Sequence, residues 1–278
     1  MTDLIIEASE LEETLGQHCV LDCRFSLTDA ALGRTQYQQG HIPTAQYINL
    51  DLQLSGNKKE TGGRHPLPEL ATFAQILADL GITQASSVVV YDNNKLAYAC
   101  RAWWLLKSAG VKNVRILNGG YDAWINGRHK VEALVGLTEV NAVRTEIGQW
   151  ELPLYNYSDV SDAVSGKTIN LVDSREEKRF RGELEPIDPV AGHIPTAINK
   201  PWAEVTDEQG FIKNAQFQRE RWSDLAPDKP LVIYCGSGVT ATVNIFSAYL
   251  SGREAALYAG SWSDWCSRPN AIIATKTD

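Results

Sequence analysis

The hexapeptide Gly-His-Ile-Pro-Thr-Ala occurs twice, at residues 40–45 and at 192–197, an offset of 152. One such match carries little weight, so its neighbourhood decides. VLDCR at 20–24 parallels LVDSR at 171–175, offset 151. VVVYD at 88–92 parallels LVIYC at 231–235, offset 143. LNGGYDAW at 117–124 parallels YAGSWSDW at 258–265, offset 141. Four blocks in the same order make an internal repeat of domain size, and the shrinking offset means that the second copy is shorter between blocks.

Each copy reads alike. A short apolar run ends in an acidic residue (Asp22, Asp173), the Gly-His-Ile-Pro turn follows, and a helical pattern comes next at Leu70–Leu80 or Phe217–Leu225. Then a wholly apolar run, Val88–Tyr91 or Leu231–Tyr234, leads into a second helical pattern. The first copy places that helix from Ala97 to Ser108, with Gly110 past its end. The second sets Val239, Val243, Phe246 and Leu250 on one face, with Gly252 at its end. Strands without polar alternation, separated by helices, predict an α/β fold with parallel sheets covered on both faces. The expected boundaries are a first domain over 1–130, a linker over 131–155 and a second domain over 156–278.

Length and composition agree with that division. The 278 residues suffice for two domains with real cores, and 44% hydrophobic with 22% charged residues is globular usage. A net charge of −8 argues against a nucleic-acid surface. No apolar run approaches the ~20 residues of a membrane span, and the acidic N-terminus lacks a signal-peptide pattern. Five cysteines without an export signal suggest reduced thiols in a cytoplasm. Cys19 and Cys23 lack a second pair with zinc spacing, so they read as small buried hydrophobes and no metal is expected.

Cys235 is different. It stands at the carboxyl end of a strand, where open α/β sheets bind ligands. Gly236 and Gly238 free the loop backbone, whose N–H groups can turn inward, and a helix N-terminus follows. Both favour an anion at the centre, most simply the Cys235 sulfur as thiolate, and the same cradle suits a persulfide. In the first copy Asp92 stands in that place, so one copy is expected to be catalytic and the other supporting. A cysteine phosphatase would need an arginine where Ala241 stands. A thioredoxin-type motif would need a second cysteine where Gly238 stands.

The paired GHIPTA turns, the cysteine loop and the terminal GSWSDW together resemble the tandem-domain rhodanese family of sulfurtransferases, over about residues 4–268. The loop from Cys235 to Thr240, including Gly236, Ser237, Gly238 and Val239, looks like that of the 3-mercaptopyruvate sulfurtransferases. The thiosulfate enzymes of the fold typically carry basic residues after the cysteine. The resemblance implies a ping-pong reaction through a Cys235 persulfide, an active site in the cleft between two rhodanese-like domains, and no metal or organic cofactor. It implies a small-molecule sulfur donor and an acceptor such as thioredoxin, glutathione or cyanide. Residue by residue it matches a relay of Ser237, His65 and Asp51, the last two reaching Cys235 across the cleft. It matches Arg179 to a carboxylate-binding arginine. The family's second basic residue has no match in ELEPIDPVAGHIP, leaving Arg181 or Arg101 as substitutes. A compact dianion such as thiosulfate should prefer cations beside the thiolate, and the loop itself has none. 3-Mercaptopyruvate is therefore the expected donor, with thiosulfate:cyanide transfer or a non-catalytic sulfur-carrier module as alternatives. His41 and His193, in the repeated turns, are expected to bond nearby backbone. Trp262 and Trp265, with counterparts Tyr121 and Trp124, are expected to pack.

Overall fold

The structure is a computed structural model that describes residues 4–133, 143 and 145–275. The chain divides into two compact units. The first comprises Met1–Gly56, Pro68–Leu152 and Thr206–Ile212, and the second comprises Asn57–Leu67, Pro153–Val205 and Lys213–Asp278. Neither unit is one continuous stretch: residues 57–67 lie within the first repeat but belong to the second unit, and 206–212 lie within the second repeat but belong to the first. Part of the expected linker, 134–142 and 144, lies outside the described residues.

The first unit is built on strands β1 (Ile5–Ile6), β2 (Cys19–Asp22), β3 (Gln46–Tyr47), β4 (Ser87–Tyr91) and β5 (Asn113–Leu117). They form one sheet in the order β1-β5-β4-β2-β3, every pair parallel. Its helices are α1 (Ala8–Thr14), α2 (Leu32–Gln39), α3 (Leu70–Asp79), α4 (Ala99–Ser108) and α5 (Gly120–Asn126).

The second unit repeats this with β6 (Leu154–Tyr155), β7 (Asn170–Asp173), β8 (Ile198–Asn199), β9 (Leu231–Tyr234) and β10 (Ala256–Tyr258). The order is β6-β10-β9-β7-β8, again parallel throughout. Its helices are α6 (Tyr157–Gly166), α7 (Glu177–Phe180), α8 (Ala215–Arg221), α9 (Ala241–Leu250) and α10 (Ser261–Trp265). The apolar runs that announced the fold are the central strands β4 and β9, buried along nearly their whole length. α9 is buried on almost every side, so its apolar face is less distinct than the spacing suggested. Its buried polar positions are satisfied: Asn244 donates to Ser174 Oγ at 2.9 Å, and the Ser247 hydroxyl donates to Gln218 Oε1 at 2.6 Å. α8 is shorter than the spacing predicts, ending at Arg221.

The repeated motifs do the same work in both units. Arg24 clamps Asp22 through Nε and Nη2 and donates to the Gly40 carbonyl at 2.7 Å. Arg175 clamps Asp173 in the same manner and donates to the Gly192 carbonyl at 2.6 Å. The acidic strand end thus ties each sheet to its GHIPTA turn. Thr44 and Thr196 hold matching left-handed conformations there, φ 67° and 68°. His41 Nδ1 lies 2.7 Å from the Tyr37 carbonyl and His193 Nδ1 2.7 Å from the Phe180 carbonyl, each ring stacked on that same aromatic residue. Both histidines bond nearby backbone, as expected. Trp124, Trp262 and Trp265 are core residues, with Tyr121 packed at the core's edge.

Candidate active site

β9 delivers its chain into the loop Cys235-Gly236-Ser237-Gly238. The Cys235 backbone is held at both ends: its N–H donates to Ser261 Oγ at 3.1 Å, and its carbonyl accepts from Trp262 N at 3.0 Å. The sulfur accepts the Gly238 N–H at 3.2 Å, and the residue is 2% exposed. Only glycine serves at 238. Its φ is +79°, and a Cβ there would lie 2.3 Å from the Ala259 carbonyl oxygen. Val239 is buried, Thr240 is half-buried, and α9 begins at the next residue.

The matching loop of the first unit is filled from within. The Asp92 carboxylate accepts four backbone N–H groups: Asn94 and Leu96 on Oδ1, and Tyr98 and Ala99 on Oδ2. Burial pushes the Asp92 pKa up, and those four amides oppose the rise. The same kind of anion-binding turn thus holds a fixed carboxylate in one copy and a sulfur in the other.

The segment 57–67 is bonded to α10. Gly62 N donates to Asp264 Oδ1 at 2.8 Å, and Arg64 N donates to Ser263 Oγ at 3.1 Å. Gly63, φ +85°, lies so close to α10 that a Cβ would come within 2.4 Å of the Gly260 carbonyl oxygen. The GSWSDW motif therefore works in two directions. Ser261 fixes Cys235, Ser263 N donates to the Gly236 carbonyl at 2.9 Å, and Ser263 Oγ with Asp264 fixes the incoming segment.

That segment carries His65, whose Nδ1 is 2.8 Å from Ser237 Oγ. His65 is 9% exposed. The expectation that it must reach Cys235 from the other domain is corrected here: His65 is part of the second unit, because backbone bonds to α10 hold it there. Cys235, Gly236, Ser237, Gly238, His65 and Arg179 all belong to this unit. Asp51 belongs to the first unit, after β3, with its N–H on Asn49 Oδ1 at 2.9 Å and its pKa raised by burial.

Each candidate arginine is held by acceptors of the protein itself. Arg179, in α7, donates Nε to Glu185 Oε2 at 3.1 Å and Nη2 to Glu185 Oε1 at 2.7 Å and to Asp188 Oδ2 at 3.3 Å. Arg181 is 44% exposed and pairs with Glu177 at 2.5 Å. Arg101 is fully buried in α4 of the first unit, its Nε on the Leu54 carbonyl at 3.1 Å. Beside the sulfur loop stands Arg64, ion-paired with Asp188. A Cβ on Gly236 would lie 3.1 Å from Arg64 Nη2 and 3.6 Å from Arg179 Nη1 and Nη2. Burial pulls the Arg64 pKa down, while the nearby Cys235 sulfur pushes it back up. The loop itself is uncharged, but the thiol is not without cations, which corrects the ground on which the loop seemed unsuited to a dianion. The sequence signal for Arg64 is its place directly before His65.

Among the described residues, no group of three or more His, Cys, Asp or Glu side chains could hold a metal, and no helix is long and apolar enough to cross a membrane.

The rhodanese-like domain family matches this chain twice, over residues 7–126 and 156–268. The chain belongs to that family. It is 41% identical over 265 residues to the probable 3-mercaptopyruvate sulfurtransferase of Pseudomonas aeruginosa, covering 92% of each chain. It is 33% identical over 256 residues to the thiosulfate sulfurtransferase of Gallus gallus, covering 90% of this chain and 86% of that one. Among solved structures, 3-mercaptopyruvate sulfurtransferase from Leishmania major superposes with a TM-score of 0.84 at 28% identity, over 97% of this chain and 76% of that one. SseA from Escherichia coli superposes with a TM-score of 0.79 at 29% identity, over 93% and 98%.

Proposed function

We propose that this sulfurtransferase takes its sulfur from 3-mercaptopyruvate and passes it, through a persulfide on Cys235, to a thiol or to cyanide. The observation that carries the reading is the 2.8 Å approach of His65 Nδ1 to Ser237 Oγ, two residues from the nucleophile.

The balance of the reaction explains why such a pair is needed. The Cys235 thiolate attacks the donor sulfur, an S–S bond forms, and the donor C–S bond breaks with its electron pair leaving on carbon. The thiol proton of the donor must depart and the enolate must gain one, so that pyruvate is released. In this reading Ser237 and His65, bonded to each other, accept and return that proton. The Gly238 N–H serves the sulfur anion before and after transfer. Arg179 holds the donor carboxylate. An acceptor thiolate or cyanide then attacks the outer sulfur and restores Cys235.

Thiosulfate offers the same sulfur without a proton, leaving as sulfite. Arg64 and Arg179 beside Gly236 favour this second reading, since they supply the cations a dianion requires.

Steady-state rates separate the two. His65→Ala should lower kcat/KM with 3-mercaptopyruvate by roughly 100-fold or more, the usual worth of general acid–base assistance, and spare thiosulfate by comparison. Equal losses with both donors would remove the relay. A higher wild-type kcat/KM with thiosulfate would overturn the donor assignment.

A further inference from the structure

Charge around the sulfur loop is held in an alternating network. Arg175 lies on Asp173 and Glu185, Arg179 on Glu185 and Asp188, and Arg64 on Asp188. Arg179 and Arg64 are not equally committed. Arg179 meets both Glu185 oxygens, and Glu185 Oε1 also accepts the N–H groups of Ile187 and Asp188 at 3.1 Å each. Arg64 is paired with Asp188 at the far end of the network. Its side chain is 24% exposed, against 12% for Arg179 and 3% for Asp188.

Position adds the rest. Arg64 Nη2 comes closer than any Arg179 atom to the Cβ position of the residue that follows Cys235. A guanidinium paired with one carboxylate through Nη1, with Nη2 beside the sulfur loop and the side chain partly exposed, has the geometry to exchange that carboxylate for another.

We propose that Arg64 is the second anion-binding residue of the site, and that Asp188 stands in for the carboxylate of the sulfur donor when no donor is bound. Arg64 and Arg179 then close on the donor carboxylate from two sides, and Asp188 competes with it. The proposal rests on Cys235 being the sulfur-accepting thiol. It requires the site to select carboxylates over neutral isosteres of the same shape, and it makes Asp188 an internal competitor rather than a support.

Iodoacetate and iodoacetamide test this independently of the natural donor. Each alkylates Cys235 with loss of iodide, and they differ only by a carboxylate against an amide. The ratio of their second-order rates on Cys235, read by peptide mass, should fall about tenfold in Arg64→Met, the scale of one charged hydrogen-bonded pair. Arg64→Lys should fall less, because it keeps the charge but not the fork. Asp188→Asn should raise the ratio and lower KM for 3-mercaptopyruvate, while Arg64→Met raises that KM. An unchanged ratio in both Arg64→Met and Asp188→Asn overturns the proposal. So does equal slowing of both reagents in Arg64→Lys and Arg64→Met, which would mean that Arg64 only shapes the loop. If the ratios shift as expected but 3-mercaptopyruvate is not a donor, the anion site stands and the donor assignment fails.

Discussion

The backbone N–H of Arg64 donates to the Ser263 hydroxyl at 3.1 Å, joining two residues 199 positions apart in the chain. Beside it, Gly63 presses so closely on the Gly260 carbonyl that no side chain fits. This junction brings Arg64 and His65 to the sulfur loop. Gly63→Ala should displace both at once. Its left-handed φ alone costs about 1–2 kcal/mol. Activity with 3-mercaptopyruvate should fall at least as far as in His65→Ala. Kinetics of the two variants side by side, with circular dichroism to establish folding, check this; wild-type activity in Gly63→Ala would deny the junction its role.

Gly238 governs the sulfur itself. Gly238→Ala meets both an unfavourable φ and the Ala259 carbonyl, so the loop must move and the N–H now bonded to Cys235 Sγ moves with it. The expected result is a loss of about 1–2 kcal/mol or more in stability together with slow persulfide formation. Mass measurement of the sulfur adduct after a timed pulse of donor reads the second effect. An adduct formed at the wild-type rate would show that this N–H is dispensable.

The clamp in the first unit allows a test of stability away from the sulfur loop. Arg24 and Asp22 are both nearly fully buried and paired at 2.5 Å. Arg24→Met leaves the Asp22 carboxylate buried without its guanidinium, which should cost about 3–5 kcal/mol. Urea unfolding should show an early transition for the first unit. A variant as stable as the wild type would mean that Asp22 finds sufficient compensation elsewhere.

Alkaline pH should weaken the fold in a defined window. Burial pushes the Tyr91 and Tyr234 phenols well above their ordinary value of 10.0. Folded and unfolded chains are both protonated below pH 10, so these groups leave stability unchanged there. Above it the unfolded chain releases protons that the folded chain retains, and stability falls as pH rises towards the folded values. Urea midpoints measured from pH 8 to 11 should be level and then drop. Burial likewise pushes the Cys23 and Cys100 thiols well up. Neither should be alkylated in the native protein at pH 8; labelling of either would contradict their burial.

Much of this was readable from residue patterns alone. Unbroken apolar runs before Asp92 and Cys235 reported central parallel strands, because both faces of such a strand are covered. The doubled GHIPTA and GSWSDW-like blocks reported two copies of one domain, and the change from Asp92 to Cys235 reported which copy carries the proposed nucleophile. Those signals are local, and each residue's neighbours in sequence suffice to interpret it. The second cation was of another kind. Arg64 comes beside Gly236 because Gly62, Gly63 and Arg64 bond to and pack against α10, and because Asp188 holds its guanidinium. Nothing in GGRH names Asp264, Ser263 or Asp188 as partners. Sequence by itself determined the duplicated α/β fold and singled out Cys235 at a strand end; tertiary structure alone decided which charges surround it, since hydrogen bonds between distant segments leave no periodicity along the chain.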